Sequence, residues 1–154
     1  MGRELAAAGI PVILNALNNT PGNFASLGAT LENAARLHAA GVRIAILGAG
    51  SHNARLMTQH AGNAVANGLP HEAALAALTS NPARIFGLYD RVGSLTAGKD
   101  ADVVIWNGDP LELATRPTAV FIRGEEMPMD ARTIRLRERY RDLTRGELPL
   151  AYRP

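Results

Sequence analysis

Apolar residues along this chain fall into two kinds of run. Short continuous runs, "IPVILNALNN" and "VRIAIL", are rich in β-branched residues and stop at Asn, Thr, Pro or Gly, so they predict short buried strands. Between them, "TLENAARLHAAG" predicts a helix. Thr30 is its expected N-cap, with Asn33 three residues on as a weak capping box, and Gly41 its expected C-terminal cap. Leu31, Ala34, Ala35 and His38 share its inner face. Small apolar residues recur at helical spacing from Asn53 to Asn67, and Gly68 stops the run. "LPHEAALAALTSNPARIFG" predicts another helical stretch, with Pro70 in its first turn, Ala74, Leu75 and Leu78 on its apolar face, a break at Asn81-Pro82 and an end at Gly87. The order strand, helix, strand, helix, helix, with strands apolar throughout, is a parallel α/β pattern.

The texture changes after Gly87. "RVGSLTAGKDADVVIWNGDP" and "TAVFIRGEEM" carry short β-type runs separated by Gly, Asp and Pro, and predict two or three small strands, Val103 to Trp106 being the clearest. From Asp130 to Thr144 an Arg-rich stretch predicts an amphipathic helix with Leu136, Tyr140 and Leu143 on one side. The expected division is 1–88, 89–128 and 129–154.

A chain of 154 residues suffices for one domain with a real core, and 47% hydrophobic against 19% charged residues marks it as globular. Aromatics make up 5%, so the core must be built from Ala, Leu, Ile and Val. A net charge of +2 does not predict nucleic-acid binding, and the arginines of the tail are interleaved with Glu138, Asp142 and Glu147 as on a solvated helix face. The absence of cysteine excludes disulfides, thiolate metal sites and cysteine nucleophiles. No apolar run approaches the ~20 residues of a membrane span. A cytoplasmic location is expected, because no targeting signal is visible.

The stretch "RIAILGAGSHNAR", Arg43 to Arg55, concentrates the candidate chemistry. It reads as a buried strand, a glycine turn and a helix start. Gly48 and Gly50 fit the first two positions of a dinucleotide fingerprint, but Asn53 stands where the third glycine is wanted. Ser51 on the turn is a candidate nucleophile, although the elbow pattern Gly-x-Ser-x-Gly is absent. A third option is the exit of a barrel strand in a metal-dependent hydrolase.

Residues 10–127 resemble the C-terminal part of the amidohydrolase superfamily, near its imidazolonepropionase-like members. "GSLTAGKDADVVIWNGDPLE" is similar to that family's closing segment, "ALTSNPARIFGL" to the helix after the last barrel strand, and "SHNARLMTQHAGNAVANGLP" to the strand-to-helix passage before it. The resemblance implies a (β/α)₈ barrel with one or two divalent metals at the C-terminal mouth of its strands, where a metal-activated hydroxide attacks an amide, ester or ring C–N bond. It makes "IPVILNALNN" and "VRIAIL" the seventh and eighth strands. The family's histidine ligands precede this stretch, and Gly50 stands where its metal-binding, proton-accepting aspartate is expected. In the family, "GKDAD" is a tight turn, so Lys99, Asp100 and Asp102 are expected to be structural.

The expected fold is therefore α/β: a partial (β/α) barrel unit over 1–88, a small β subdomain over 89–128 and a helical tail, completed by self-association. The expected activity is hydrolysis of an ester, amide or phosphoester, weak or remodelled, with a non-catalytic self-associating fragment as the alternative. His52 is the expected acid or base and Ser51 the nucleophile or hydrogen-bond donor, with Gly48, Gly50, Asn53 and Arg55 binding a small-molecule substrate. His38 and His60 are expected to pack or cap. No nucleic acid or membrane partner is expected, and zinc enters only if a site is rebuilt between subunits of a homo-oligomer.

Overall fold

The structure is a computed structural model that describes residues 1–48 and 50–141. Two strands, β1 (Val12–Leu14) and β2 (Ile44–Ile46), pair in parallel with Val12 opposite Ile44 and Leu14 opposite Ile46. The crossover between them is α2 (Asn33–Ala39), and a short helix not foreseen in the sequence, α1 (Gly2–Ala7), precedes β1. α3 (Met57–Ala66), α4 (His71–Leu78) and α5 (Ser80–Ile85) follow β2. A three-stranded antiparallel sheet comes next, β3 (Val103–Trp106), β4 (Pro117–Ile122) and β5 (Glu125–Glu126), in the order β3-β4-β5. The last described element is α6 (Arg132–Arg141). The predicted helical tail thus begins two residues later than expected, and Leu143 and Thr144 lie outside the described residues.

Strand alternation decides the core. Leu14, Ile44 and Ile46 point into a helical layer with Ala34, Ala61, Ala64, Leu69, Ala74 and Ala77, all buried. Ile13 and Leu47 point the other way and remain 44% and 42% exposed, although Ala45 on that side is buried, so this face is covered only in part. Alanines dominate this layer because α3 and α4 pack closely on each other and on β2, and small side chains let their backbones approach.

The same alternation leaves the outer edge of β2 unpaired. Arg43 O accepts from Val12 N and Leu47 N donates to Leu14 O, so the odd-numbered residues of this strand serve β1. The Ile44 carbonyl faces the opposite edge, where Asn81 Nδ2 donates to it at 2.9 Å. A side chain from α5 thereby occupies one acceptor of an edge that would otherwise recruit another strand.

Several helix boundaries differ from expectation for local reasons. α2 starts at Asn33 without a side-chain cap, because Thr30 sits in the preceding turn, where its Oγ1 accepts from Glu32 N and its carbonyl from Asn33 N. His38 is exposed on α2, which corrects its placement on the inner face. At the far end Gly41 adopts φ +85°, the left-handed value that lets Val42 N reach back to Leu37 O. The break expected at Asn81-Pro82 falls two residues earlier, at Thr79 (φ −126°, ψ −84°), and Pro82 lies within the first turn of α5, where its missing N–H costs nothing. His60 is packed as expected, 1% exposed, with Nδ1 unpartnered.

The small sheet is joined to the helices through the loop after β3. Asp109 Oδ1 accepts from Leu111 N at 2.9 Å, and Oδ2 lies 2.7 Å from His71 Nε2 at the start of α4. This places Leu111 in the helical core, its carbonyl over Gly62 of α3. A Cβ on Gly62 would lie 2.4 Å from that backbone oxygen. The "GKDAD" turn is structural, as expected: Lys99 Nζ donates to Tyr89 O, Arg91 pairs with Asp100 at 2.7 Å, and Asp102 Oδ1 accepts from Arg123 N. Arg84 and Lys99 lie over the Tyr89 ring, 3.3 and 3.6 Å from its centroid.

Two predictions follow from this joint. Gly62→Ala should lower stability by about 1–3 kcal/mol in urea denaturation, because a backbone oxygen cannot swing aside as a side chain would. Gly28→Ala, with open space around the added Cβ, is the neutral control. The Leu111 amide and then His71 hold the Asp109 carboxyl below its ordinary value of 3.8, so its contribution to stability is full above that value and lost as pH falls through the lowered one. Asp109→Asn should therefore be less stable than wild type at neutral pH. The gap should close in acid; a gap constant from neutral pH into acid would show that the carboxylate charge is not what holds the joint.

Candidate functional site

Residues 48–56 leave the C-terminal end of β2. The sequence predicts a helix from Asn53, but the chain first makes a tighter 3-10 turn over Ser51–Leu56 and only then enters α3. Gly48 is half-buried beneath this turn, and a Cβ there would stand 3.1 Å from Asn53 O and 3.3 Å from Met57 Cγ. Its role is thus close packing of the turn on the strand end.

Gly50 caps the turn, its carbonyl accepting from Asn53 N at 3.1 Å. Its backbone lies at φ +71°, ψ +156°, a region that residues with a Cβ avoid. A Cβ at this position would also stand 3.1 Å from His52 Cε1 and 3.3 Å from His52 Nδ1. The imidazole therefore lies against Gly50, over the space where a side chain at that position would begin. His52 is exposed. Arg55 Nη1 folds back on the turn, donating to His52 O at 2.9 Å and lying 3.5 Å from Asn53 Oδ1.

The structure thus brings Gly50, His52, Asn53 and Arg55 into one turn at the strand mouth. The Ser51 side chain lies outside the described residues. Across the mouth, Asn15 Oδ1 after β1 accepts from Leu17 N and Asn18 N, which turns the chain away from the strand end. This Asx turn was not singled out in the sequence, although Asn15 directly after an apolar run is its usual signal.

The family model described as "Amidohydrolase family" matches residues 4–127. The chain belongs to the amidohydrolase family. It is 41% identical over 115 residues to an imidazolonepropionase of Aromatoleum aromaticum, a match covering 70% of this chain and 26% of that protein. Among solved structures, an amidohydrolase from Thermotoga maritima superposes with TM-score 0.75 at 35% identity, covering 82% of this chain and 33% of the other. An adenosine deaminase from Xanthomonas campestris with bound zinc superposes with TM-score 0.62 at 25% identity, covering 90% of this chain and 38% of that one. The chain spans between 7% and 26% of the curated relatives it matches. The described part holds no closed barrel.

The donor set bears on the divalent centre that the family resemblance implies. Among the described residues no three His, Cys, Asp or Glu side chains stand close enough together to hold a metal ion. Among the described residues the side chains at the mouth are the His52 imidazole, the Asn15 and Asn53 amides and the Arg55 guanidinium, and Gly50 offers no side-chain ligand. These residues do not fit a divalent centre. No helix among the described residues is long and apolar enough to cross a membrane.

Restoring an acid at position 50 tests this geometry. Gly50→Asp should cost about 1–3 kcal/mol through backbone strain. It should not create stoichiometric zinc binding in isothermal titration. Tight zinc binding with unchanged stability would mean that the turn relaxes readily to accept a ligand.

Proposed function

We propose that this chain carries a remodelled hydrolase site of the amidohydrolase family, acting on an ester, amide or phosphoester of a small molecule. The observation that supports it is the His52 imidazole lying against Gly50 at the strand mouth, where the resemblance expects the family's proton-accepting aspartate. On this reading His52 takes the proton from a water as its oxygen attacks the substrate's acyl or phosphoryl centre, and returns that proton to the departing amine or alcohol. Asn53 and Arg55 hold a polar or anionic group of the substrate. The backbone N–H groups of Gly48 and Gly50 receive the developing oxyanion. Ser51 stands next to His52 in the chain as an alternative nucleophile. The deaminase among the structural relatives makes a C–N bond the first bond to test.

A second reading, a non-catalytic fragment that folds by self-association, has a specific observation in its favour: the described residues bring no metal-binding group together at the mouth. The two readings part in a panel of activated esters, anilides and phosphoesters assayed with wild type, His52→Ala and Ser51→Ala. The first expects His52→Ala to lower kcat/KM by about 10²-fold or more, the usual share of a positioned general base. Equal rates for wild type and His52→Ala remove His52 from the site, and no turnover by any of the three supports the non-catalytic reading.

A further inference from the structure

The small sheet does not close against the helices. Between β3 and helices α4 and α5 runs a groove of about 700 Å³. Leu75, Leu78, Pro82 and Phe86 form one wall, and Val104 and Trp106 the other. Its apolar rim is open to solvent: Phe86 is 65% and Leu95 85% exposed. The charged residues lining it, among those described, are Asp100 and Asp102. Asp100 is paired with Arg91, whereas Asp102 accepts a backbone N–H from Arg123, so its charge is met by no cationic side chain among the described residues.

The same chain holds an element with the opposite character and no place to pack. Every residue of α6 is exposed. Leu136 and Tyr140, one turn apart, form an apolar stripe on it. Arg132, Arg135, Arg137, Arg139 and Arg141 surround that stripe, with Glu138 the one acid within the helix. Asp130 pairs with Arg135 just ahead of it.

In its own chain α6 does not line the groove. Met127 N donates to Val120 O, so the backbone stays on the β4 side of the sheet until residue 127. α6 then departs from the β5 end of the order β3-β4-β5, whereas the groove lies beyond β3 and is lined by no residue of β4 or β5. Two strand spacings, roughly 10 Å, separate those edges before the groove is reached.

We propose that the groove receives α6 from a second copy of this chain, in a reciprocal exchange that gives a two-fold dimer. Leu136 and Tyr140 enter between the α4–α5 wall and β3, and the arginines beside them meet Asp102 and Asp100 at the rim. Both partners are the same two surfaces, so the contact closes after two copies and does not propagate.

The test uses the full chain. Light scattering on a sizing column should give wild type at twice the 16.3 kDa chain mass. Leu136→Glu/Tyr140→Glu on the helix and Val104→Lys in the groove should each weaken the dimer by about tenfold or more, the effect of removing a buried anchor. Circular dichroism checks that they remain folded, and Leu136→Ala/Tyr140→Ala serves as the milder variant. Mixing the helix variant with the groove variant should restore a dimer, because each mixed pair retains one intact helix and one intact groove facing each other. The proposal is overturned by a monomeric wild type, by a dimer indifferent to these substitutions, or by a mixture that stays monomeric. A monomer in which the helix substitutions shift the emission of Trp106, the single tryptophan, would assign the groove to the chain's own helix instead.

Discussion

Two parallel strands with helices on one side bury that face fully and the other only in part, and the placement of the strand mouth answers to that. Ile44 and Ile46 are committed to the helical layer, each 5% exposed or less. Because side chains alternate along a strand, this commitment turns Leu47 outward and delivers Gly48 and Gly50 to the strand end. A one-residue slip would reverse both faces and expose the isoleucines. The position of the mouth is therefore a consequence of core packing, and the α3–α4 alanines that allow close approach to β2 fix the site as much as the residues within it.

The parts of this arrangement legible in the sequence are those with local causes. Continuous β-branched runs marked both strands, the helical spacing of Ala and Leu marked the layer that covers them, and the change of texture after Gly87 marked the small sheet. The resemblance carried by "GSLTAGKDADVVIWNGDPLE" led to the family to which the chain belongs. Features that depend on distant partners left no such trace. The bond from Asn81 to the Ile44 carbonyl spans 37 residues and the His71–Asp109 contact 38. Residues 53–56 read as the start of a regular helix, because a 3-10 turn differs in hydrogen-bond spacing, which composition does not encode. His38 was misplaced because its neighbours Ala34 and Leu37 satisfy the inner face without it.

The resemblance expects an aspartate at this mouth, and position 50 holds a glycine. Its backbone conformation disfavours any side chain there. Beside it the turn offers a single imidazole, one ligand where a divalent ion needs several, and a folded-back guanidinium, a cation that repels a metal ion. Fold kinship alone does not assign chemistry, since one scaffold hosts many reactions through changes at its strand ends. At this mouth what the structure shows is an exposed imidazole on a tight 3-10 turn beside a glycine of positive φ.

Two of the apolar surfaces among the described residues differ in their chemistry. The groove beside β3 carries acidic side chains at its rim, which suits an arginine-rich helix. The outer face of β1 and the end of β2 offer Ile13 and Leu47, and His52 is exposed on the turn that follows. An imidazole open to water works in a high dielectric, where a developing charge is screened and an oriented donor contributes least. The strength of any chemistry at His52 therefore depends on whether water is excluded from this mouth, whereas the groove is set by the packing of β3 on α4 and α5.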